Sequence, residues 1–152
     1  MNRNTVIFDL DGTLANIDVR IRLAAKPNGK LDWDKFFDPS NIKLDVPNKP
    51  VVKMAQLFAQ DGYTIIIFSG RSDKTATATV SWLSQNKVPF KKLFMRPHKT
   101  MNFVSDEILK KDMLDNHVDI DDVFLVVDDR NKVVKMWRSL GLSVFQVADG
   151  DF

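Results

Sequence analysis

Two pairs of aspartates are placed to do chemistry together. Asp9 and Asp11 stand two positions apart in the run Asp-x-Asp-Gly-Thr at 9–13, at the end of a short apolar segment, and Asp128 and Asp129 follow a second one. Carboxylates this close repel unless a proton or a cation lies between them. A hard divalent cation held by carboxylates, a backbone carbonyl and water would relieve the repulsion. Magnesium suits such oxygen ligands best and commonly bridges a few carboxylates to a phosphate. A carboxylate nucleophile, a bound divalent cation and fixed donors together describe phosphoryl transfer through an aspartyl phosphate. Ser69, at the end of a third apolar segment, offers a hydroxyl to phosphate oxygens, and Lys110, near the start of a helix, offers a cation.

Such residues are useful only if a fold brings them together, and the pattern of the chain specifies one. Short apolar runs at 5–10, 63–68, 92–95, 122–127 and 143–147 read as strands. Between them lie helical patterns. One is capped by Asn48, carries Pro50 in its first turn and is stopped by Gly62; others span 74–85, 106–115 behind Ser105, and 133–140 before Gly141. Continuous hydrophobic strands alternating with helices indicate an α/β fold, a doubly wound parallel sheet with right-handed crossovers. Ligands of such sheets bind beyond the C-terminal strand ends, which is where the aspartates and Ser69, Gly70 and Arg71 fall. Residues 15–49 break the alternation. A short helix near 19–25, a Pro-Asn-Gly turn at 27–29 and the aromatics Trp33, Phe36 and Phe37 read as a small lid beside the site, within one domain covering 1–152.

Composition narrows the chemistry further. With no cysteine, disulfides, thiolate metal sites, iron–sulfur clusters and a cysteine nucleophile are all excluded, and two histidines, His98 and His117, argue against a histidine-rich zinc site. Of the 20 acidic residues 19 are aspartate, Glu107 being the exception. No apolar run reaches the ~18 residues of a membrane-spanning helix and no signal-peptide pattern opens the chain, so the expectation is a cytoplasmic protein that meets no membrane. The net charge of +2 conceals a basic stretch at 86–100, with five cations (Lys87, Lys91, Lys92, Arg96, Lys99) and no acid. Such a stretch suits an anionic ligand or is simply a solvated loop.

The run VIFDLDGTLA at 6–15, Ser69-Gly70-Arg71, Lys110 and VVDDR at 126–130 resemble, in order and spacing, the four motifs of the haloacid dehalogenase superfamily. More narrowly, IIIFSGRSD at 65–73 and the segment 126–152 resemble the 3′-phosphatase domain of phage and bacterial polynucleotide kinase/phosphatases. The resemblance implies a Rossmann-like fold with a small cap, magnesium as cofactor, and removal of a 3′-terminal phosphate from DNA or RNA in a bacterial or phage-infected cell. A nucleotidase acting on mononucleotides is the alternative, and separate kinase or ligase partners are implied. There is no Gly-x-x-x-x-Gly-Lys-Ser/Thr loop, so the resemblance implies no kinase activity.

It also implies roles. Asp9 would attack phosphorus, and Asp11 would protonate the leaving oxygen and then activate water. The metal would be held by Asp9, the carbonyl of Asp11 and Asp128, with Asp129 in support. Ser69 and Lys110 would bind phosphoryl oxygens, Lys111 being the competitor of Lys110. Thr13 would hydrogen-bond Asp11 or the turn. Thr13, Gly70, Arg71, Arg96 and Arg130 form the expected substrate-binding set, although Arg71 and Arg130 could instead pair with nearby aspartates. Trp33, Phe36 and Phe37 either stack on a base or pack in the core. His98 and His117 read as surface residues. A receiver domain also combines an acid pair, a phosphorylated aspartate, a hydroxyl and a lysine, but in a different order along the chain.

Overall fold

The central apolar runs, at 5–9, 65–69 and 125–128, are buried on both faces, so they must lie between helices, and this dictates the layering. The computed structural model describes residues 2–152. In chain order, β1 (Thr5–Asp9) leads into an inserted segment that holds β2 (Ala15–Asn16), α1 (Asp18–Ala24), α2 (Trp33–Phe36), α3 (Pro39–Ile42) and β3 (Val46–Pro47). Then follow α4 (Lys49–Gln60), β4 (Thr64–Ser72), α5 (Ala76–Gln85), β5 (Lys92–Arg96), α6 (Asp106–His117), β6 (Val123–Asp128), α7 (Asn131–Ser139) and β7 (Val144–Gln146). Five strands form one parallel sheet in the order β5-β4-β1-β6-β7, while β2 and β3 pair as a separate antiparallel ribbon.

Side chains alternate across a strand, so each strand feeds two cores. Val6, Phe8, Ile65, Ile67, Leu125 and Val127 pack with Val51, Val52 and Ala55 of α4 and with Trp82 and Leu83 of α5. Ile7, Ile66, Phe68 and Val126 pack with Leu109 and Met113 of α6 and with Val133 and Trp137 of α7. This is the α/β Rossmann-like arrangement expected. Its register matters for the site: Asp9 lies opposite Phe68, and Phe8 opposite Val127, so the ends of β1, β4 and β6 come level.

Two strand ends differ from the sequence reading. Ser69, Gly70 and Arg71 do not follow the second strand; they lie within it, because β4 runs on to Ser72. Pairing with β5 jumps from Phe68↔Phe94 to Ser72↔Arg96, so four steps of β4 span two of β5. Such a bulge re-aims side chains next to a site. Asp128 likewise is the last residue of β6. Ser105 occupies the N-cap of α6 without a side-chain capping bond. Asn48 also caps α4 by position only, and its amide instead donates to the Thr13 carbonyl at 3.0 Å.

The insertion is ordered rather than a bare loop. Its helix α1 is inverted: Arg20 and Ala24 are buried while Ile21 and Leu23 are exposed. The aromatic trio forms one cluster, with ring centroids 5.1–5.9 Å apart, in which Phe36 is buried and Trp33 exposed. Among the described residues no helix is long and apolar enough to cross a membrane.

Ile67 is fully buried on the central part of β4. Truncation there should leave a cavity, so Ile67→Ala is expected to lower the unfolding free energy by about 2–5 kcal/mol in a denaturant titration.

Candidate active site

Lys110 is the hub of the site. Its ammonium, buried on α6, donates to Asp9 Oδ1 at 2.7 Å and to Asp128 Oδ2 at 2.9 Å. Burial alone would pull its pKa down, but Asp128 and Asp9 more than reverse this and keep it charged. Lys111, one residue on, points the other way and pairs with Asp115. Asp9 uses its second oxygen to accept the Thr13 hydroxyl at 2.8 Å. Asp128 Oδ1 accepts the backbone N–H groups of Asp129 at 2.9 Å and of Arg130 at 3.3 Å, which fixes the turn after β6.

Carboxylate oxygens of Asp9, Asp128 and Asp129 can all lie within 4.8 Å of one another, and all three residues are buried. With all three carboxylates ionised, the single ammonium of Lys110 would leave an excess of two negative charges. Burial pushes Asp9 well above the usual carboxylate range; Lys110 opposes this, and Asp128 and Asp129 add to it. Asp129 is also raised by burial, with the like charge of Asp128 adding to the rise and Lys110 opposing it. A buried, oxygen-only cluster of three carboxylates is what a hard divalent cation would neutralise.

Asp11 belongs to a different network. Its Oδ1 accepts from Arg20 Nη2 at 2.7 Å and from Arg71 Nε and Nη2 at 2.8 and 2.6 Å. Both guanidiniums also reach Asp45, at 2.9 and 2.8 Å. Two arginines and two aspartates thus balance each other where the insertion meets the sheet. Burial alone would raise the Asp11 carboxyl, but Arg71 and then Arg20 outweigh it and hold the group below its ordinary value. The expected repulsion between Asp9 and Asp11 is therefore relieved by guanidiniums on Asp11, and its side chain is not among the clustered carboxylates.

A third set of contacts links the loops. Asp106 accepts Arg96 Nη2 at 2.5 Å on one oxygen and Arg130 Nη1 at 2.7 Å on the other. Arg96 also donates to the carbonyls of Gly70 at 3.0 Å, Met101 at 2.9 Å and Val104. Of the expected substrate-binding residues, then, Arg71, Arg96 and Arg130 are engaged by aspartates because each lies within reach of a buried or half-buried carboxylate. Arg71 spends all three nitrogens inside the protein, the third on Thr79. Thr13 bonds Asp9 rather than Asp11. Ser69 is buried on the bulge, where its hydroxyl accepts the Arg71 N–H at 3.1 Å. His98 pairs with Asp73, and His117 is exposed with its ring stacked on Phe94 at 4.2 Å.

Glycine makes two of these close approaches possible. A Cβ on Gly12 would stand 2.2 Å from Asp129 Oδ2, and one on Gly70 would stand 2.9 Å from Asp106 Oδ1. Gly12 also has φ +84°, a conformation that disfavours side chains. Sequence reasoning missed Arg20, Asp45 and Asp106. The one local signal was on α1, where the apolar residues Ile21 and Leu23 sit out of phase with a buried position.

Comparison with known proteins shows the family and the fold. Residues 3–152 match the family model of the polynucleotide kinase PNKP phosphatase domain. A chain of the Pnkp1/Rnl/Hen1 complex is 33% identical, with a TM-score of 0.82 over 99% of this chain and 48% of that one. A protein of Autographa californica nuclear polyhedrosis virus, named as a bifunctional polynucleotide kinase/RNA ligase, is 32% identical over 146 residues, 93% of this chain and 19% of that protein. The chain therefore spans less than half of the length of these relatives. L-2-haloacid dehalogenase from Xanthobacter autotrophicus shares the fold, with 16% identity and a TM-score of 0.64 over 97% of this chain and 78% of that one.

Removing Arg20 would leave Asp11 and Asp45 to share one guanidinium in a buried setting. Arg20→Met is expected to lower stability by about 3–5 kcal/mol, and thermal and denaturant unfolding would measure it. Gly12→Ala should displace Asp129, and a crystal structure of that variant would show the shifted carboxylate.

Proposed function

The chain belongs to the family of polynucleotide kinase PNKP phosphatase domains, phosphoric monoester hydrolases of the haloacid dehalogenase type, and from that premise we propose that it removes the terminal 3′-phosphate from DNA or RNA ends through an aspartyl phosphate on Asp9. The observation that carries this reading is the buried cluster of Asp9, Asp128 and Asp129 around Lys110. Magnesium would be held by Asp9, Asp128 and the backbone carbonyl of Asp11, with Asp129 alongside. When bound, it supplies positive charge that neutralises the phosphoryl oxygens during transfer.

The protein's own groups divide the remaining work. A carboxylate oxygen of Asp9 forms the new bond to phosphorus as the bond to the sugar 3′-oxygen breaks, and Asp11 delivers a proton to that oxygen. Water then attacks the phosphoryl group, Asp11 takes the proton, and inorganic phosphate leaves a restored Asp9 carboxylate. Lys110 keeps Asp9 aimed and meets the phosphoryl charge, and the Ser69 hydroxyl donates to a phosphoryl oxygen. Arg20 and Arg71 hold Asp11 ionised, the form the second half-reaction needs. The first half-reaction needs the protonated form, so Asp11 must loosen from a guanidinium as substrate enters.

A polynucleotide end is favoured over a mononucleotide by the family match and by the basic stretch at 86–100. The viral relative named for polynucleotide kinase and RNA ligase activity supports a place beside enzymes that phosphorylate and join the same ends.

Asp9→Asn is expected to reduce turnover of a 3′-phosphorylated oligonucleotide by roughly a thousandfold or more with the circular dichroism spectrum unchanged. Asp11→Asn should cost on the order of a hundredfold to ten-thousandfold. Chelation of divalent ions should abolish activity and added magnesium restore it. A kcat/KM far higher on free 3′- and 5′-mononucleotides than on the oligonucleotide would refute the repair reading.

A further inference from the structure

The loop at 97–105, between β5 and α6, carries Phe103, the most exposed of the large hydrophobic side chains at 98%. A phenylalanine in water is not stabilised by its own fold, and a floppy loop would let it fold back onto apolar neighbours. Here it is held out. Arg96 donates to the carbonyls of Met101 and Val104, two residues before it and one after, and the same guanidinium bonds the Gly70 carbonyl and Asp106. One side chain thus fixes the loop on both sides of Phe103 and ties it to the bulge that carries Ser69. A second clasp joins this loop to the end of β4, where His98 bonds Asp73 through its backbone N–H at 3.2 Å and its ring at 2.5 Å.

The surrounding charge points to the ligand. Asp73 and Asp106 are engaged by His98, Arg96 and Arg130, whereas Lys74 and Lys99, on the same two segments, make no ion pair among the described residues. An exposed ring on a loop tied to the bulge that carries Ser69, with unpaired ammonium groups on the same two segments, combines what a nucleobase and its backbone phosphates require of a surface. We propose that Phe103 is a stacking platform for a base at the phosphorylated end, with Lys74 and Lys99 meeting the adjoining backbone phosphates. This rests on the proposed 3′-phosphatase function and extends it: the site recognises a base-bearing end, rather than any phosphate monoester.

The test compares wild type, Phe103→Leu and Phe103→Trp on three substrates: a 3′-phosphorylated oligonucleotide, the same oligonucleotide with its terminal residues abasic, and glycerol phosphate. Because the side chain is solvent-exposed, none of these changes disturbs the core. Phe103→Leu, which stays apolar but loses the ring, should raise KM for the base-bearing oligonucleotide about tenfold with kcat unchanged. KM for the abasic oligonucleotide and for glycerol phosphate should stay the same, and Phe103→Trp should keep the wild-type KM. Equal KM changes on the base-bearing and abasic substrates, or none on either, overturn the stacking role while leaving the phosphatase reading intact. Turnover of glycerol phosphate with no turnover of either oligonucleotide by wild type brings down both. A change in sedimentation mass in Phe103→Leu with unchanged KM identifies the ring as a contact between copies of the chain, and the proposal falls.

Discussion

A single buried ammonium group, that of Lys110, is the constraint on which the site depends. Taking a lysine out of water costs several kcal/mol unless carboxylates compensate closely. Here Asp9 and Asp128 do so at 2.7 and 2.9 Å. For both to reach one nitrogen, the ends of β1 and β6 must be level neighbours, and α6 must cover that face of the sheet. The parallel register satisfies the first condition, and the packing of Leu109 and Met113 on Ile7, Phe68 and Val126 satisfies the second. Lys110 alone cannot neutralise three ionised carboxylates, which is why Asp9 and Asp129 are pushed upward and why a divalent cation would suit the cluster.

Around this hub the acids are sorted by partner. Asp9 and Asp128 share a lysine, and Asp129 crowds against them. Asp11 is drawn aside by Arg20 and Arg71, and Asp106 is bridged by Arg96 and Arg130. This sorting lets aspartates two residues apart differ in character: burial and like charges raise Asp9, and guanidiniums lower Asp11. The insertion takes part through Arg20 and Asp45, whose side chains are fully buried and join α1 and the end of the insertion to the acid loop. The inverted face of α1 is the consequence. Its inner side meets carboxylates, so a buried arginine is stabilised there, and the aliphatic residues are turned to solvent.

The preference for aspartate has a physical rationale at five positions of these networks, Asp9, Asp11, Asp106, Asp128 and Asp129. A short side chain near the backbone holds a carboxylate in place with little rotamer freedom to lose. Gly12 and Gly70 let those carboxylates approach within distances that any Cβ would block. Nothing in the structure explains why glutamate is so scarce among the remaining acids.

Much of the fold was legible in the chain itself. Apolar runs buried on both faces, alternating with capped helical patterns, are sufficient to specify a parallel sheet between helices, because no other arrangement buries them. Asp9, Asp11 and Asp128 were legible as residues at strand ends, where such sheets bind ligands, whereas Ser69, read the same way, lies on a bulge inside the longer β4. The partners of the arginines were not. Arg71, Arg96 and Arg130 looked like donors for a substrate phosphate, but whether a guanidinium meets a ligand or an aspartate depends on contacts between segments up to 60 residues apart, such as Arg71 with Asp11. That Lys110 rather than Lys111 meets Asp9 and Asp128 follows from which face of α6 lies against the sheet, and the bulge at Ser69 from how far β4 outruns β1. Local pattern determines what each segment buries; only the assembled structure decides which charges, once buried, must neutralise one another.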